Sequence, residues 1–233
     1  MPRRESRGDL CGRPDRTPVT PRRIDVDAVE GDQRLAASVP PDRRLALTPR
    51  RVAVVGTSGA GKTTFAAALA QRLGCRYVEL DALHWEAGWR MAEPEVFRAR
   101  VEQETAGGRW VVDGSYSKVR DLVWARADTL VWLDYPLAVK LWQLLERTTR
   151  RLWTGEELWN GNRERLSDHL NLLDRDNLFV WTIRQHRFHQ ITYPAALAEP
   201  AYAHLRLVRL RTPGAGRRWL EQVARDQANV DRR

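Results

Sequence analysis

Eight residues, Gly56-Thr57-Ser58-Gly59-Ala60-Gly61-Lys62-Thr63, carry the most specific chemistry in this 233-residue chain. They satisfy the G-x-x-x-x-G-K-[ST] pattern of a phosphate-binding loop. Gly56, Gly59 and Gly61 have no side chain, so the backbone can curl and turn its N–H groups onto an anion. A helix beginning near Lys62 adds its free N–H groups and the positive end of its dipole. Lys62 supplies a point charge for the outer phosphates and Thr63 a hydroxyl for Mg²⁺. The nucleotide-contacting stretch is expected to run from Gly56 through Thr64. The chain has three lysines, Lys62, Lys118 and Lys140, against a large excess of arginine. A lysine at this one position argues that a compact ammonium is needed there.

The flanks must present this loop. Arg51–Val55, with its apolar run from Val52, predicts a buried strand, and Lys62–Leu73 a helix, stopped by Gly74. A second strand is expected over Arg76–Leu80, ending at Asp81-Ala82-Leu83-His84-Trp85. Ligands of open α/β sheets sit at the carboxyl ends of strands, so Asp81, His84 and Trp85 fall where a substrate would lie. Asp81 could instead cap the next helix. A third strand, Arg109–Val112, runs into Asp113-Gly114-Ser115-Tyr116. An acid directly after an apolar strand is the position that holds or orients Mg²⁺ and its water, and Gly114 permits close backbone approach.

Helices are predicted over Pro94–Thr105 and Ser117–Arg126, with a fourth strand at Thr129–Leu133. A long helix over Leu137–Leu152 has an expected apolar stripe of Leu137, Leu141, Leu144, Leu145 and Leu152. Arg147, Arg150 and Arg151 cluster at its C-terminal end. They suit the helix dipole there, and such a cluster is also what closes over a transferring phosphate. Residues 153–166 hold two glycines among polar side chains and read as a lid. Residues 167–193 look helical. His186 and His189, three apart without a third ligand, read as surface histidines. A fifth strand, Arg206–Leu210, leads through Arg211-Thr212-Pro213-Gly214 into a final helix. This alternation of strands and helices predicts a parallel sheet.

Net charge is +9, carried almost entirely by arginine. That favours anionic partners, nucleotides first, with nucleic acid weakly supported because no helix-turn-helix or aromatic-basic sheet pattern appears. The two cysteines form no metal-binding spacing, which fits a reducing cytoplasm. No apolar run approaches a membrane span. Residues 1–49 are crowded with Arg, Asp, Pro and Gly and are expected to be a disordered basic extension, with the kinase-like domain over 50–233. Trp85, Trp89, Trp153 and Trp159 cluster in sequence around the expected site.

The chain from about Arg51 to the last helix resembles the bacterial adenylate-kinase-related P-loop proteins labelled DNA topology modulation (FlaR-type) proteins. The likeness rests on the phosphate loop, Leu80–Trp85, Val111–Ser117, Trp132–Pro136 and Glu157–Asn162. It implies an α/β fold of nucleoside-monophosphate-kinase type: a five-stranded parallel sheet ordered 2-3-1-4-5, flanked by helices, with an Arg-bearing lid. It implies ATP and Mg²⁺ as cofactors and a small-molecule acceptor, or alternatively a nucleotide-binding regulator acting on DNA. Arg147 and Arg151 sit where relatives carry lid arginines, and Arg211 where the loop after the last strand approaches adenine. Adenylate kinases carry a Phe-Pro-Arg segment after the third-strand Asp-Gly. Here the run is Ser115-Tyr116-Ser117, and the nearest arginine is Arg120. Asp81 looks more like shikimate- or gluconate-kinase relatives, where a carboxylate meets a substrate hydroxyl. Two acceptor chemistries therefore stay open, a nucleotide phosphate clamped by Arg120 or a hydroxyl held at Asp81.

Overall fold

The computed structural model of the chain describes residues 23–25, 48–162 and 178–232. Its strands are β1 (Arg23–Asp25), β2 (Arg51–Val55), β3 (Arg76–Glu79), β4 (Trp85–Glu86), β5 (Arg90–Met91), β6 (Trp110–Asp113), β7 (Thr129–Leu133) and β8 (Arg206–Leu210). The helices are α1 (Lys62–Leu73), α2 (Leu80–His84), α3 (Pro94–Glu104), α4 (Ser117–Arg126), α5 (Leu137–Thr154), α6 (Leu178–Leu197) and α7 (Pro213–Asp231), with 3₁₀ turns at Trp159–Gly161 and Pro200–Tyr202. The main sheet is ordered β1-β8-β7-β2-β6-β3 and every pair in it is parallel. The five expected strands keep the expected order. The sixth, Arg23–Asp25, pairs with β8 from within the stretch expected to be disordered.

Both faces of the sheet are covered, so its central strands are apolar throughout. Strand β2 shows how one sequence serves two layers. Val52 and Val54 pack with α1 and α7 through Phe65, Leu69, Leu220 and Val223. Ala53 and Val55 pack on the other side with Phe97, Val101, Val119, Val123 and Tyr193 from α3, α4 and α6. The stretch 85–91 is an antiparallel hairpin, β4 with β5. Helix α6 continues through Pro194 to Leu197, beyond the expected end at Tyr193.

Helix α5 departs from its predicted stripe. Its buried positions are Lys140, Leu144 and Thr148, spaced by four along one face. Leu145 is 49% exposed and Trp142 68%. The reason is tertiary: the start of α5 passes so close to the phosphate loop that the Lys140 carbonyl abuts Gly59. The face turned toward that loop is buried whatever its polarity. Of the expected lid, 163–166 lies outside the described residues, as does 167–177 of the helix expected after it.

Candidate active site

The loop from Gly56 to Gly61 takes the conformation its glycines permit. Gly59 and Gly61 sit at φ 75° and 74°, and Gly61 is the N-cap of α1. Thr57 and Ala60 are buried, and the Ala60 N–H donates to the Thr57 carbonyl at 3.2 Å. Lys62 Nζ folds back onto the Thr57 carbonyl at 3.2 Å.

Strand β6 delivers Asp113 to this loop. Thr63 Oγ1 donates to Asp113 Oδ2 at 2.7 Å, and the Tyr77 hydroxyl donates to the same oxygen at 3.3 Å. Asp113 is 3% exposed, and its other oxygen, Oδ1, is buried with no partner among the described residues. Burial pushes the Asp113 carboxyl above the usual range, while the Lys62 charge and the Thr63 hydrogen bond hold it back. An unpartnered buried carboxylate oxygen beside the phosphate-loop hydroxyl fits a Mg²⁺ position. Among the described residues no three His, Cys, Asp or Glu side chains gather as a metal cage. That is no obstacle, since Mg²⁺ takes one or two protein groups and fills its shell with phosphate and water. Gly114, at φ 140°, leaves room that a Cβ would lose, 2.8 Å from Leu80 Cβ. Ser115 ties the same turn to the loop, its Oγ accepting from Gly56 N at 3.2 Å.

Next to this centre lies a second group. Asp81, in the first turn of α2, accepts a hydrogen bond from the Tyr116 hydroxyl at 2.5 Å. Tyr116 rests on His84 and Phe97, with ring centroids 4.6 and 5.3 Å away. Glu79, at the end of β3, is raised above the usual carboxylate range by burial, partly offset by a hydrogen bond from Trp159. Trp85 and Trp89 meet edge to face at 5.6 Å, and Trp89 meets Trp159 at 6.3 Å. Asparagines tie down the backbone of the hairpin that carries Trp85 and Trp89. Asn160 Nδ2 donates to the Trp85 carbonyl at 2.5 Å, Asn162 Nδ2 to the Glu86 carbonyl at 2.9 Å, and the Trp89 N–H to Asn162 Oδ1 at 2.9 Å. The described part of the expected lid is thus fastened to the β4–β5 hairpin.

The remaining expected residues lie in varied surroundings. His84 is 3% exposed and lies beneath Tyr116 as floor, because α2 turns its ring inward against Phe97. Arg120 holds its guanidinium 5.6 Å above the Trp124 ring on its own helix. Trp153 is 90% exposed on the outside of α5, apart from the other three indoles. Arg211 is exposed in the turn after β8. Arg147 and Arg151 lie one turn apart on α5. Arg151 is mostly buried, 3.7 Å from Glu156, with its charge felt at Glu79.

A further cluster was not anticipated. Asp134, at the end of β7, accepts from Arg209 Nε at 2.9 Å and from Gln190 Nε2 at 2.5 Å. Buried Lys140 lies 4.0 Å from Asp134 and 3.1 Å from His186 Nδ1, and burial lowers its ammonium to about 8. His189, expected at the surface, is buried and stacked on Tyr193 at 4.3 Å. Burial and the Lys62 and Lys140 charges lower it to about 4. One signal was available in sequence: Asp134 follows an apolar strand as Asp81 and Asp113 do.

A family model described as shikimate kinase matches residues 58–106. A shikimate kinase of Halorhodospira halophila is 32% identical over 130 residues, spanning 47% of this chain and 71% of the relative. The chain belongs to the shikimate kinase family. A gluconokinase of Gluconobacter oxydans is 51% identical over 43 residues, 18% of this chain and 24% of its own. A putative adenylate kinase of Pyrococcus furiosus is 37% identical over 73 residues, 28% and 41% of the two chains. Among solved structures, a shikimate kinase from Acinetobacter baumannii in complex with shikimate aligns over 82% of this chain and 98% of its own, at 17% identity and a TM-score of 0.46. This member of the family is a P-loop phosphotransferase, with adenylate-kinase-like relatives.

Proposed function

We propose that the protein transfers the γ-phosphoryl group of ATP to a hydroxyl of a small molecule held at Asp81. The observation that carries this reading is the meeting of Thr63 Oγ1 with Asp113 Oδ2 at 2.7 Å, with Asp81 and Tyr116 beside it. The loop amides from Gly56 to Thr64 and the Lys62 ammonium hold the outer phosphates. Thr63 and Asp113 hold Mg²⁺, directly or through water, and the ion supplies neutralisation of the phosphate charge when bound. Asp81 orients the acceptor hydroxyl and takes its proton as the oxygen attacks phosphorus and the bond to the ADP oxygen breaks. Tyr116 stays protonated, since burial and the Asp81 charge push its phenol far upward, so it fixes Asp81 as a donor. Arg147 and Arg151, at the far end of α5, supply positive charge to the transferring group. The phosphate-acceptor reading is disfavoured by the engagement of Arg120 with Trp124.

A regulator acting on DNA would need a continuous basic face. Among the described residues, Arg76, Arg98, Arg100, Arg126, Arg150, Arg151 and Arg209 all sit in ion pairs with acids of the same chain. Kinase chemistry is therefore preferred. Among the described residues no helix is long and apolar enough to cross a membrane, and the reading places the protein in the cytoplasm, where ATP is supplied.

The test is acceptor-stimulated ADP release by the purified protein. Lys62→Ala is expected to lower kcat/KM by about 10²–10³, the loss typical of removing one charged donor at the developing charge. Asp81→Asn should lower kcat with ATP affinity unchanged. Equal turnover by both variants and the parent would overturn the assignment.

A further inference from the structure

Resting on the nucleotide part of that reading, the buried cluster at the start of α5 bears on how the phosphate charge is met. Lys140 is 1% exposed, and its carbonyl backs Gly59 of the phosphate loop. Its ammonium lies 3.1 Å from His186 Nδ1 and 4.0 Å from Asp134, beyond hydrogen-bond reach of that carboxylate. Asp134 is already engaged, accepting from Arg209 through Nε and Nη2 and from Gln190. Among the described residues, one carboxylate thus faces two cations, Arg209 and Lys140, so the protonated cluster carries an excess positive charge. The Lys62 charge is felt at both Lys140 and His189. The excess therefore stands behind the loop that takes the phosphates.

The residue type matters. Lys140 is one of three lysines in an arginine-rich chain. An arginine would keep its charge, whereas a buried lysine can release its proton. Burial lowers the Lys140 ammonium to about 8, with Asp134 opposing the shift and Lys62 adding to it. The charged and titratable groups that face it, among the described residues, are Asp134 with Arg209 from the sheet, Lys62 from α1, and His186 and His189 from α6, with Arg187 acting on His186. Burial lowers both histidines from 6.5, so they are neutral above pH 7 and add no charge there. A polyphosphate seated at Lys62 brings negative charge that favours the Lys140 ammonium and offsets the repulsion between the two lysines.

We propose that Lys140 is a positioning residue for the nucleotide: its buried ammonium is the counter-charge behind the phosphate loop, and nucleotide binding draws a proton from solution onto Lys140. The proton comes from the buffer and stays on Lys140 Nζ while the phosphates are bound. Lys140 acts through the loop and Lys62 and takes no part in the transfer itself. Loss of its proton in alkaline solution weakens nucleotide binding.

The deciding experiment titrates ADP with Mg²⁺ into the purified protein by calorimetry from pH 7 to 9, in pairs of buffers with different ionisation heats. At pH 8.5 the nucleotide phosphates are fully ionised, so proton uptake reports the protein. The parent is expected to take up about 0.5–0.9 proton per ADP at pH 8.5 and far less at pH 7, and its Kd to rise about tenfold from pH 7 to 9. Lys140→Met, with Lys140→Gln as the second variant, should bind about tenfold more weakly than the parent at pH 7, take up no proton, and meet the parent's affinity near pH 9. A merely structural role would weaken binding alike at every pH and overturns the inference. Binding by the parent without proton uptake, or uptake that persists in both variants, overturns it too while leaving the nucleotide site standing. If neither variant folds, the parent's own uptake decides. No ADP binding at any pH overturns both the inference and the phosphotransfer reading beneath it.

Discussion

His189 sets an acid limit on this fold. Its ring is buried against Tyr193, and burial with the Lys62 and Lys140 charges lowers its pKa from 6.5 to about 4. Between those values the unfolded chain binds a proton that the folded chain does not. Stability therefore falls as pH drops from about 6.5 to about 4, by on the order of 3 kcal/mol at full expression. Lys140 acts in the opposite window: its pKa is lowered from 10.5 to about 8, so stability rises as pH goes from about 8 to 10.5. Chemical denaturation across pH 4 to 7 should show the first slope, and His189→Phe should flatten it. An unchanged slope in that variant would place the titration elsewhere.

At the scale of elements, the contact between the phosphate loop and α5 governs the site. Gly59 has φ 75°, and a Cβ there would strike the Lys140 carbonyl. Gly74, which ends α1 at φ 57°, has no atom within 4 Å of an added Cβ. Gly59→Ala must therefore bear both the left-handed backbone and a clash with backbone, and Gly74→Ala only the first. We expect about 1 kcal/mol for Gly74→Ala. For Gly59→Ala we expect about 3 kcal/mol or more, with nucleotide affinity reduced at least tenfold. Urea denaturation and an ADP titration of both variants check this. Equal losses would mean that α5 yields easily, and the loop would not depend on it.

Across the whole molecule, the proposed site and a supporting cluster occupy opposite ends of the sheet. Asp81, Asp113 and Asp134 lie at the carboxyl ends of β3, β6 and β7. Asp128 lies at the other end, ahead of β7. Its carboxylate accepts from Arg51 N at 2.8 Å, Arg50 N at 3.1 Å and Thr129 Oγ1 at 2.8 Å, joining the starts of β2 and β7. Asp128→Ala should lower stability by about 1–3 kcal/mol, the range for hydrogen bonds to a charged group. Its kcat with the best acceptor should stay within about twofold of the parent, since no site group is touched. A tenfold loss of kcat with unchanged stability would contradict this separation of roles.

The sequence by itself determined what neighbouring residues decide together. The phosphate loop is a contiguous run whose glycines, lysine and threonine act through local backbone conformation, so its spacing was sufficient. Buried parallel strands show as apolar runs, and their sequence with the acids that follow them placed Asp81 and Asp113 at one edge. The order β3-β6-β2-β7-β8 came with the family likeness. Tertiary structure decided which of these side chains meet. Tyr116 reaches Asp81 across 35 positions of sequence, and Lys140 reaches His186 across 46. Helices α3 and α4 have weakly segregated faces, so their rotation is set by the sheet rather than by periodicity. That rotation buries Phe97 and Val101 of α3 and Val119 and Val123 of α4 in one core, with the His84 ring of α2 packed on Phe97. On α5 the approach of the loop at Gly59 buries Lys140 and leaves Trp142 and Leu145 exposed, because proximity to another element outweighs side-chain hydrophobicity there.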